Sequence, residues 1–227
     1  MTDTATTIRN PIYTTWRDSI FMAEGDWTRT RDAFVQAAQW FTHTVPVGRG
    51  RWDEIALGEW TVRDLVGHTS RAIVTLEAYL SSPATAAEVT TSVEYFHQAL
   101  AAIGDEAAVA QRGRDAGAAL GEDPATAVDE IAQRVIEGLN AQSGEALLTT
   151  PVGGMRLVDY LPTRTFELTV HTCDLSAALG VPLDVPKAAA EESLWLLGGL
   201  ASRPNLAGPL LLAATGRRPL PARFSVL

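Results

Sequence analysis

Apolar residues recur at three- and four-residue steps through most of this chain, which is the spacing of one face of an α-helix. The repeat predicts a first helix over residues 26–44. A second helix is predicted to begin at Thr61, whose hydroxyl caps the first turn, while Asp64 favours the positive end of the helix. This helix continues to about Leu80 and carries His68 in its second turn.

The same spacing predicts that most of the remaining chain is helical as well. Further helices are expected over residues 92–103, in the alanine-rich stretch after residue 105, and over residues 124–140, 158–179 and 186–202. Asp123 followed by Pro124 forms a cap and first-turn pair, and Gly180 followed by Pro182 ends the long helix before it.

Two segments lack a helical repeat. The sequence LLTTPVGGMRLV has short apolar stretches on both sides of Gly153-Gly154, which is equally compatible with a small hairpin and with a connecting loop. Near the C-terminus, the short apolar runs LLLAA and FSVL are predicted to pair as strands.

The predicted elements indicate a mainly α protein with three parts. Residues 1–20 are polar, rich in threonine and interrupted by Pro11, so we expect a loosely attached N-terminal arm. Residues 21–181 contain the main helical domain, and residues 182–227 form a small C-terminal α/β appendage. A chain of 227 residues can bury a core without disulfide staples.

Composition and charge exclude several classes of function. The formal net charge of −9 argues against a broad basic surface, so we expect neither nucleic acid nor an anionic membrane as a partner. No apolar run approaches the roughly 20 residues that cross a bilayer, and the N-terminal sequence lacks the pattern of a secretion signal. Cys173, the one cysteine, cannot form an intramolecular disulfide. We therefore expect a cytoplasmic protein.

The chemistry of the chain is concentrated in the sequence RTFELTVHTCDL of the 158–179 helix. Glu167 and His171 are four residues apart, which places them one turn apart on one helix face, and Arg164 and Asp174 fall on the same side. Most other positions of this helix are apolar. Charged groups on a helix that is packed on several sides need partners or a metal.

A carboxylate and an imidazole one turn apart can bind one metal ion, and His68 is the best candidate for a third ligand. Two histidines and one carboxylate leave metal positions open for water or substrate, as catalytic sites do. The spacing alone leaves an alternative open, which is an ordinary surface pair of Glu167 with a histidine or an arginine.

The remaining histidines and the cysteine have no further potential metal ligands at a matching helical spacing. His43 and His97 are interpreted as ordinary surface or partly buried histidines. Cys173 is two residues from His171, so it points away from it and is interpreted as a small core residue rather than a nucleophile. Trp60, beside the predicted helix cap, is a candidate for lining a pocket.

Two linked motifs carry a resemblance to a known family. WTVRDLVGHTSR, with His68, and RTFELTVHTCDL, with Glu167 and His171, resemble the metal-binding domain of mycothiol-dependent maleylpyruvate isomerases, within the DinB/YfiT-like superfamily. The resemblance covers about residues 20 to 180. It implies a DinB-like four-helix bundle that holds one divalent metal, usually zinc, through the two histidines and the glutamate.

The resemblance also implies a function. Mycothiol, a low-molecular-weight thiol of actinobacteria, would act as cosubstrate, and the metal would bind and activate its thiolate. A small electrophile would be the second substrate, and a homodimer is an open alternative to a monomer. Arg164, Asp174 and, in the sequence TGRR, Arg217 are the candidate catalytic residues. Residues that bind the thiol are not identified.

Finer roles and two departures follow from the same motifs. Asp174 or Asp64 is expected to orient a ligand histidine, and Arg164 to neutralise Glu167 or to anchor an anionic substrate. Gly67 and Thr69 flank His68 where members of the family often have alanine and a larger aliphatic residue, and we expect them to loosen the pocket without removing a ligand.

Three functional hypotheses remain at the level of the sequence. The first is a mycothiol-dependent thiol transferase or isomerase. The second is a non-enzymatic, metal-dependent binding or regulatory module of the same fold. The third is a non-haem iron site, since two histidines and one carboxylate also suit Fe(II) oxygenases, although these usually build the triad on a β-barrel.

Overall fold

The structure, a computed structural model, describes residues 26–102 and 106–227. The predicted N-terminal arm, residues 1–20, lies outside them. The described residues contain eight α-helices: α1 Trp27–Thr44, α2 Val62–Leu80, α3 Ser92–Ala102, α4 Glu106–Ala119, α5 Pro124–Asn140, α6 Leu157–Leu179, α7 Lys187–Ala201 and α8 Ala207–Ala214. The fold is mainly α, as the sequence predicts.

Four of these helices form the central bundle. α1 and α2 each pack against both α5 and α6, while α4 lies along α2, α3 packs on α6, and α7 packs on α1 and α6. One hydrophobic core connects them; its fully buried large side chains include Phe34, Phe41, Leu65, Ile73, Leu76, Leu139, Leu161 and Leu168. Leu196 and Leu200 of α7 belong to the same core.

Local hydrogen bonds begin and end the helices at the predicted positions. The Thr61 hydroxyl accepts a hydrogen bond from the Asp64 backbone N–H at 3.2 Å, and the Asp64 carboxylate accepts one from the Thr61 backbone N–H at 3.0 Å. Asp123 caps α5 ahead of Pro124. α6 ends at Gly180, whose φ of +72° lies in the left-handed region that favours glycine.

Two short antiparallel hairpins complete the fold before α7. β1 Ile55–Leu57 pairs with β2 Trp60–Thr61, and β3 Leu147–Thr150 pairs with β4 Gly153–Arg156. The second pair confirms the hairpin alternative for LLTTPVGGMRLV. The two residues between the strands are at 151 and 152, so the glycine pair begins the second strand instead of forming the turn.

The strand pair predicted near the C-terminus is wrong, and so is the α/β character of the appendage. The run LLLAA lies in α8, FSVL forms no regular element, and residues 182–227 contain no strand. Leucine and alanine are good helix formers, and Pro209 fits the first turn of α8. No helix in the described ranges has the length and apolarity needed to span a bilayer.

Candidate metal centre

α6 presents a carboxylate and an imidazole on one face. Glu167 and His171 are one turn apart, and Glu167 Oε2 lies 3.4 Å from His171 Nε2. Both side chains are largely shielded from solvent, because α1, α2 and α7 pack against α6. The pair therefore lies within the packed helices. It is not the exposed surface ion pair that was the alternative interpretation of the four-residue spacing.

His68 reaches this pair from α2. One ligand atom each of His68, Glu167 and His171 can be chosen so that all three lie within 4.8 Å of one another. The ring centroids of His68 and His171 are 4.7 Å apart, and the two rings are nearly perpendicular. Direct packing of α2 on α6 thus brings together residues that are about a hundred positions apart in the chain.

Asp174 is the hydrogen-bond partner of His171 within this arrangement. Its Oδ2 lies 3.0 Å from His171 Nδ1, which leaves Nε2 facing Glu167. A carboxylate on the second ring nitrogen is the usual partner of a metal-binding histidine. Asp64, the alternative predicted for this role, instead accepts hydrogen bonds from Thr61 at the start of α2.

Burial and neighbouring charges shift the protonation of the three side chains in different directions. Burial and the nearby His171 lower the pKa of His68 to about 4, so this ring is neutral near pH 7. Burial also opposes charge on His171, but hydrogen bonds with Asp174 and Glu167 outweigh it and raise its pKa to about 9. Burial acts to raise the pKa of Glu167, yet its hydrogen bond with His171 and the charge of Arg164 lower it. A metal ion bound here would displace the proton of His171.

The three side chains fit a metal ion in two respects. Their donors are two imidazoles and a carboxylate, and the 3.4 Å between Glu167 Oε2 and His171 Nε2 is close to the roughly 3.3 Å that separates two ligand atoms of tetrahedral zinc. His68 Nδ1 is buried and has no hydrogen-bond partner. Such an atom is costly unless a further group, such as water or a metal, satisfies it.

A cavity of about 340 Å³ opens beside the three side chains. His68 and Glu167 lie in its wall, together with side chains from α2, α3, α4 and α6 and from the turn of the second hairpin. Its positively charged lining residues are Arg71, Arg112 and Arg164, and its aromatic ones are Tyr79, Tyr95 and Phe96. A cavity with these groups can hold a small anionic molecule next to the candidate ligands.

Arg164 is the positively charged residue on the same helix face as Glu167. Its guanidinium carbon lies 5.1 Å from the ring centroid of Tyr160 and 5.7 Å from that of Tyr95, which is the distance range of cation–π contacts. Its Nε donates to Thr163 Oγ1 at 3.0 Å, and it forms no ion pair with another described residue. Its other N–H groups make no hydrogen bond to another described residue.

The other predicted residues lie apart from the centre. Arg217 is exposed just beyond α8 and is not part of the cavity wall, so its catalytic role stays a prediction. His43 and His97 are exposed. Cys173 is partly exposed, and burial raises the pKa of its thiol, which disfavours the nucleophilic thiolate.

Some residues of the site were missed in the sequence. Arg71 lies one turn after His68 on α2, a spacing that could have identified it, whereas Arg112 comes from α4 with no local signal. Gly67 has the opposite effect from the one expected. A Cβ on this residue would collide with the Gly117 backbone nitrogen, so glycine here lets α2 and α4 pack tightly rather than loosening the pocket.

Comparisons with known proteins agree with the motifs. The family model of the mycothiol maleylpyruvate isomerase N-terminal domain matches residues 46–176, more than half of the chain. This range includes the three candidate ligands, Asp174 and the three arginines of the cavity. Neither the curated proteins nor the solved structures gave a match.

Proposed function

Because the chain belongs to the mycothiol maleylpyruvate isomerase N-terminal domain family, we propose that it is a metal-dependent enzyme that uses mycothiol to conjugate or isomerise a small electrophile. The observation that carries this proposal is the convergence of His68, Glu167 and His171 beside a cavity. Addition of the thiol to a carbon–carbon double bond and its later elimination would permit cis–trans isomerisation, whereas addition alone would give a conjugate.

The donor set supports zinc as the metal. Two histidines and one carboxylate hold zinc in catalytic sites that keep a fourth position open. When bound, zinc would lower the pKa of the mycothiol thiol and hold the sulfur as a thiolate. Asp174 would keep the His171 ring in place, and the neutral His68 ring offers a lone pair without first losing a proton.

The chain itself contributes no competing nucleophile at this place. Cys173 is the one cysteine of the sequence, and it lies two residues from His171, where its raised pKa keeps the sulfur protonated. The reactive sulfur is therefore proposed to come from the cosubstrate. This agrees with a candidate ligand set of three described side chains, two of which, His68 and Glu167, line the cavity.

We assign the arginines of the cavity to the electrophile. Arg71, Arg112 and Arg164 come from three different helices and line one space with Glu167. An anionic group such as a carboxylate would pair with Arg164, whose planar guanidinium is rigidly placed against two tyrosine rings. The proposed substrate is therefore a small electrophile that bears a negative charge.

A spectroscopic titration tests the function. Cobalt-substituted protein titrated with mycothiol should develop a sulfur-to-cobalt charge-transfer band, and the same protein should consume mycothiol when an anionic electrophile is added. S-methyl mycothiol, which has no free thiol, serves as the control and should leave the band absent. A spectrum that saturating mycothiol does not change, in folded and fully loaded protein, would favour the non-enzymatic binding module.

A further inference from the structure

We infer that Trp60 is a positioning residue of the metal centre: its indole ring holds the imidazole of His68 in the orientation in which the three candidate ligands converge. The inference rests on the proposed metal-dependent function. It concerns a residue outside the ligand set, which would act through His68 and would touch neither the metal nor the substrate.

The two histidines of the centre are held in different ways. A metal-binding histidine usually donates its second ring N–H to a carboxylate or carbonyl, and His171 has such a partner in Asp174. No described residue makes such a hydrogen bond to His68, and its Nδ1 is buried without a partner. Something other than a hydrogen bond must therefore define the orientation of the His68 ring.

The indole ring of Trp60 contacts the His68 ring and restrains its orientation, as the hydrogen bond with Asp174 does for His171. Its ring centroid lies 4.4 Å from that of His68, with 35° between the two ring planes. The other ring against His68 is His171 itself, in an edge-on contact at 4.7 Å. Rotation of the His68 ring about its side-chain bonds would collide with one or the other, so these two rings restrict its orientation.

The indole is in turn fixed by α4. Trp60 is buried, and its Nε1–H donates to the backbone carbonyl of Ala110 at 3.1 Å. The α4 backbone also lies directly against the ring, since a Cβ on Gly113 would come within 2.8 Å of the indole Cε2. α4 therefore contacts Trp60, and Trp60 in turn contacts His68. Through these two contacts the packing of α4 affects the geometry of the centre.

Three variants separate stacking from the hydrogen bond and from packing in general. Trp60→Phe keeps an aromatic ring beside His68 but removes the indole N–H, whereas Trp60→Leu removes the ring. Trp52→Leu is the matched control. Trp52 is partly buried against the same core, but its ring makes no aromatic contact with His68, unlike that of Trp60. The measurements are the cobalt dissociation constant, from competition with a chelator, and the visible ligand-field spectrum of the cobalt protein.

We expect Trp60→Leu to weaken cobalt binding at least tenfold and to change the ligand-field bands, as loss of a group that orients a ligand does. Trp60→Phe and Trp52→Leu should stay within threefold of wild type with unchanged bands. Wild-type affinity and bands in Trp60→Leu would overturn the role of Trp60. Equal losses in Trp60→Phe and Trp60→Leu would also overturn it, because they would assign the effect to the hydrogen bond with Ala110.

The remaining outcomes are also distinguished. If Trp60→Leu does not fold, Gly113→Ala decides, since the added methyl group presses on the indole while all side chains at the centre remain; unchanged cobalt binding and bands would then overturn the inference. If the wild-type protein binds no cobalt, both the metal centre and the role of Trp60 are disproved. If the wild-type and Trp60→Leu proteins bind cobalt equally well, only the role of Trp60 is disproved.

Discussion

His171 Nδ1 lies 3.0 Å from Asp174 Oδ2, one turn further along α6. Because Nδ1 is occupied in this way, Nε2 is the nitrogen that faces Glu167. The carboxylate lies on the same helix as the imidazole, so this contact is fixed by helix spacing and is independent of how the other helices pack.

The first prediction concerns this hydrogen bond. Asp174→Asn should lower the affinity for zinc or cobalt about tenfold or more. A neutral amide holds the His171 ring less firmly than a carboxylate does, and it no longer contributes a negative charge near the metal cation. Competition with a chelator measures the affinity. Asp129→Asn, on the exposed face of α5, is the matched control and should bind as wild type. Equal affinities for the Asp174→Asn protein and wild type would contradict the orienting role.

The second prediction concerns the ligands themselves. Wild type should contain one divalent metal per chain, and alanine at His68, Glu167 or His171 should remove most of it, since two remaining side chains bind weakly. Elemental analysis of proteins purified in parallel gives the occupancy. The exposed His97→Ala should keep full occupancy. Full occupancy in His68→Ala and His171→Ala would disprove the ligand assignment.

The third prediction concerns the source of the sulfur. Cys173→Ser should keep thiol-transfer activity within a few-fold of wild type, because burial raises the pKa of this thiol and the reactive sulfur is expected to arrive with mycothiol. Mycothiol consumption at saturating electrophile measures the activity. Complete loss in a folded, metal-loaded Cys173→Ser protein would argue for a nucleophile within the chain.

The fourth prediction concerns the substrate. Arg164→Gln should raise KM for an anionic electrophile roughly 10- to 100-fold, the effect of losing a charged hydrogen bond of about 1.5–3 kcal/mol, and should leave the metal content unchanged. The ester of the same electrophile, which lacks the charge, should be far less affected. Equal effects on acid and ester would show that Arg164 does not bind the anion.

Two companion variants complete this series. Arg134→Gln is the control, because Arg134 is exposed and paired with Glu77 on another part of the surface. Arg217→Gln tests the catalytic role predicted from the sequence, since a loss of activity there would place the exposed C-terminal segment in the reaction.

The fifth prediction concerns stability against pH. Glu192 of α7 is 2% exposed, and burial raises the pKa of its carboxyl to about 7, although the nearby Thr165 and Thr30 act to lower it. Its folded-state pKa lies above the unfolded value, so the stability it contributes is present below about pH 4.5 and is lost as the pH rises through 7. Glu192→Gln abolishes this titration and should gain up to about 3 kcal/mol relative to wild type between pH 4.5 and 8.

Urea unfolding of the metal-free proteins at the two pH values measures this difference. Glu191→Gln, the exposed neighbour paired with Arg29, is the control, and its stability relative to wild type should change little with pH. A Glu192→Gln protein whose relative stability does not change with pH would show that the buried carboxyl does not titrate in this range.

The sequence by itself determined the features that depend on neighbours within one or two turns. The Thr61–Asp64 cap, the Asp123-Pro124 start and the glycine stop at Gly180 correctly predicted helix ends, because these signals are hydrogen bonds and backbone preferences of a few adjacent residues. The stripe from Arg164 to Asp174 was predicted for the same reason, since helical geometry alone places those residues on one side.

His68 was identified by its apolar surroundings and by the motif it shares with a family. Its place beside Glu167 and His171 depends on the packing of α2 on α6, and this contact is carried by apolar side chains along both helices. The motif implied the meeting of these residues, and the packing supplies the physical reason for it.

Only the tertiary structure decided the surroundings of the centre. The wall shared by Arg112 and Arg164 and the close approach of Gly67 to Gly117 join residues far apart in the chain, and the contact of the Trp60 ring with His68 depends on the packing of α4 behind the indole. The run LLLAA is apolar enough for either a strand or a helix, and in the structure it lies in α8, whose backbone hydrogen bonds are made within the segment itself. Such contacts depend on how whole helices pack, and the packing surface of a helix is shared among many residues, none of which carries the signal alone.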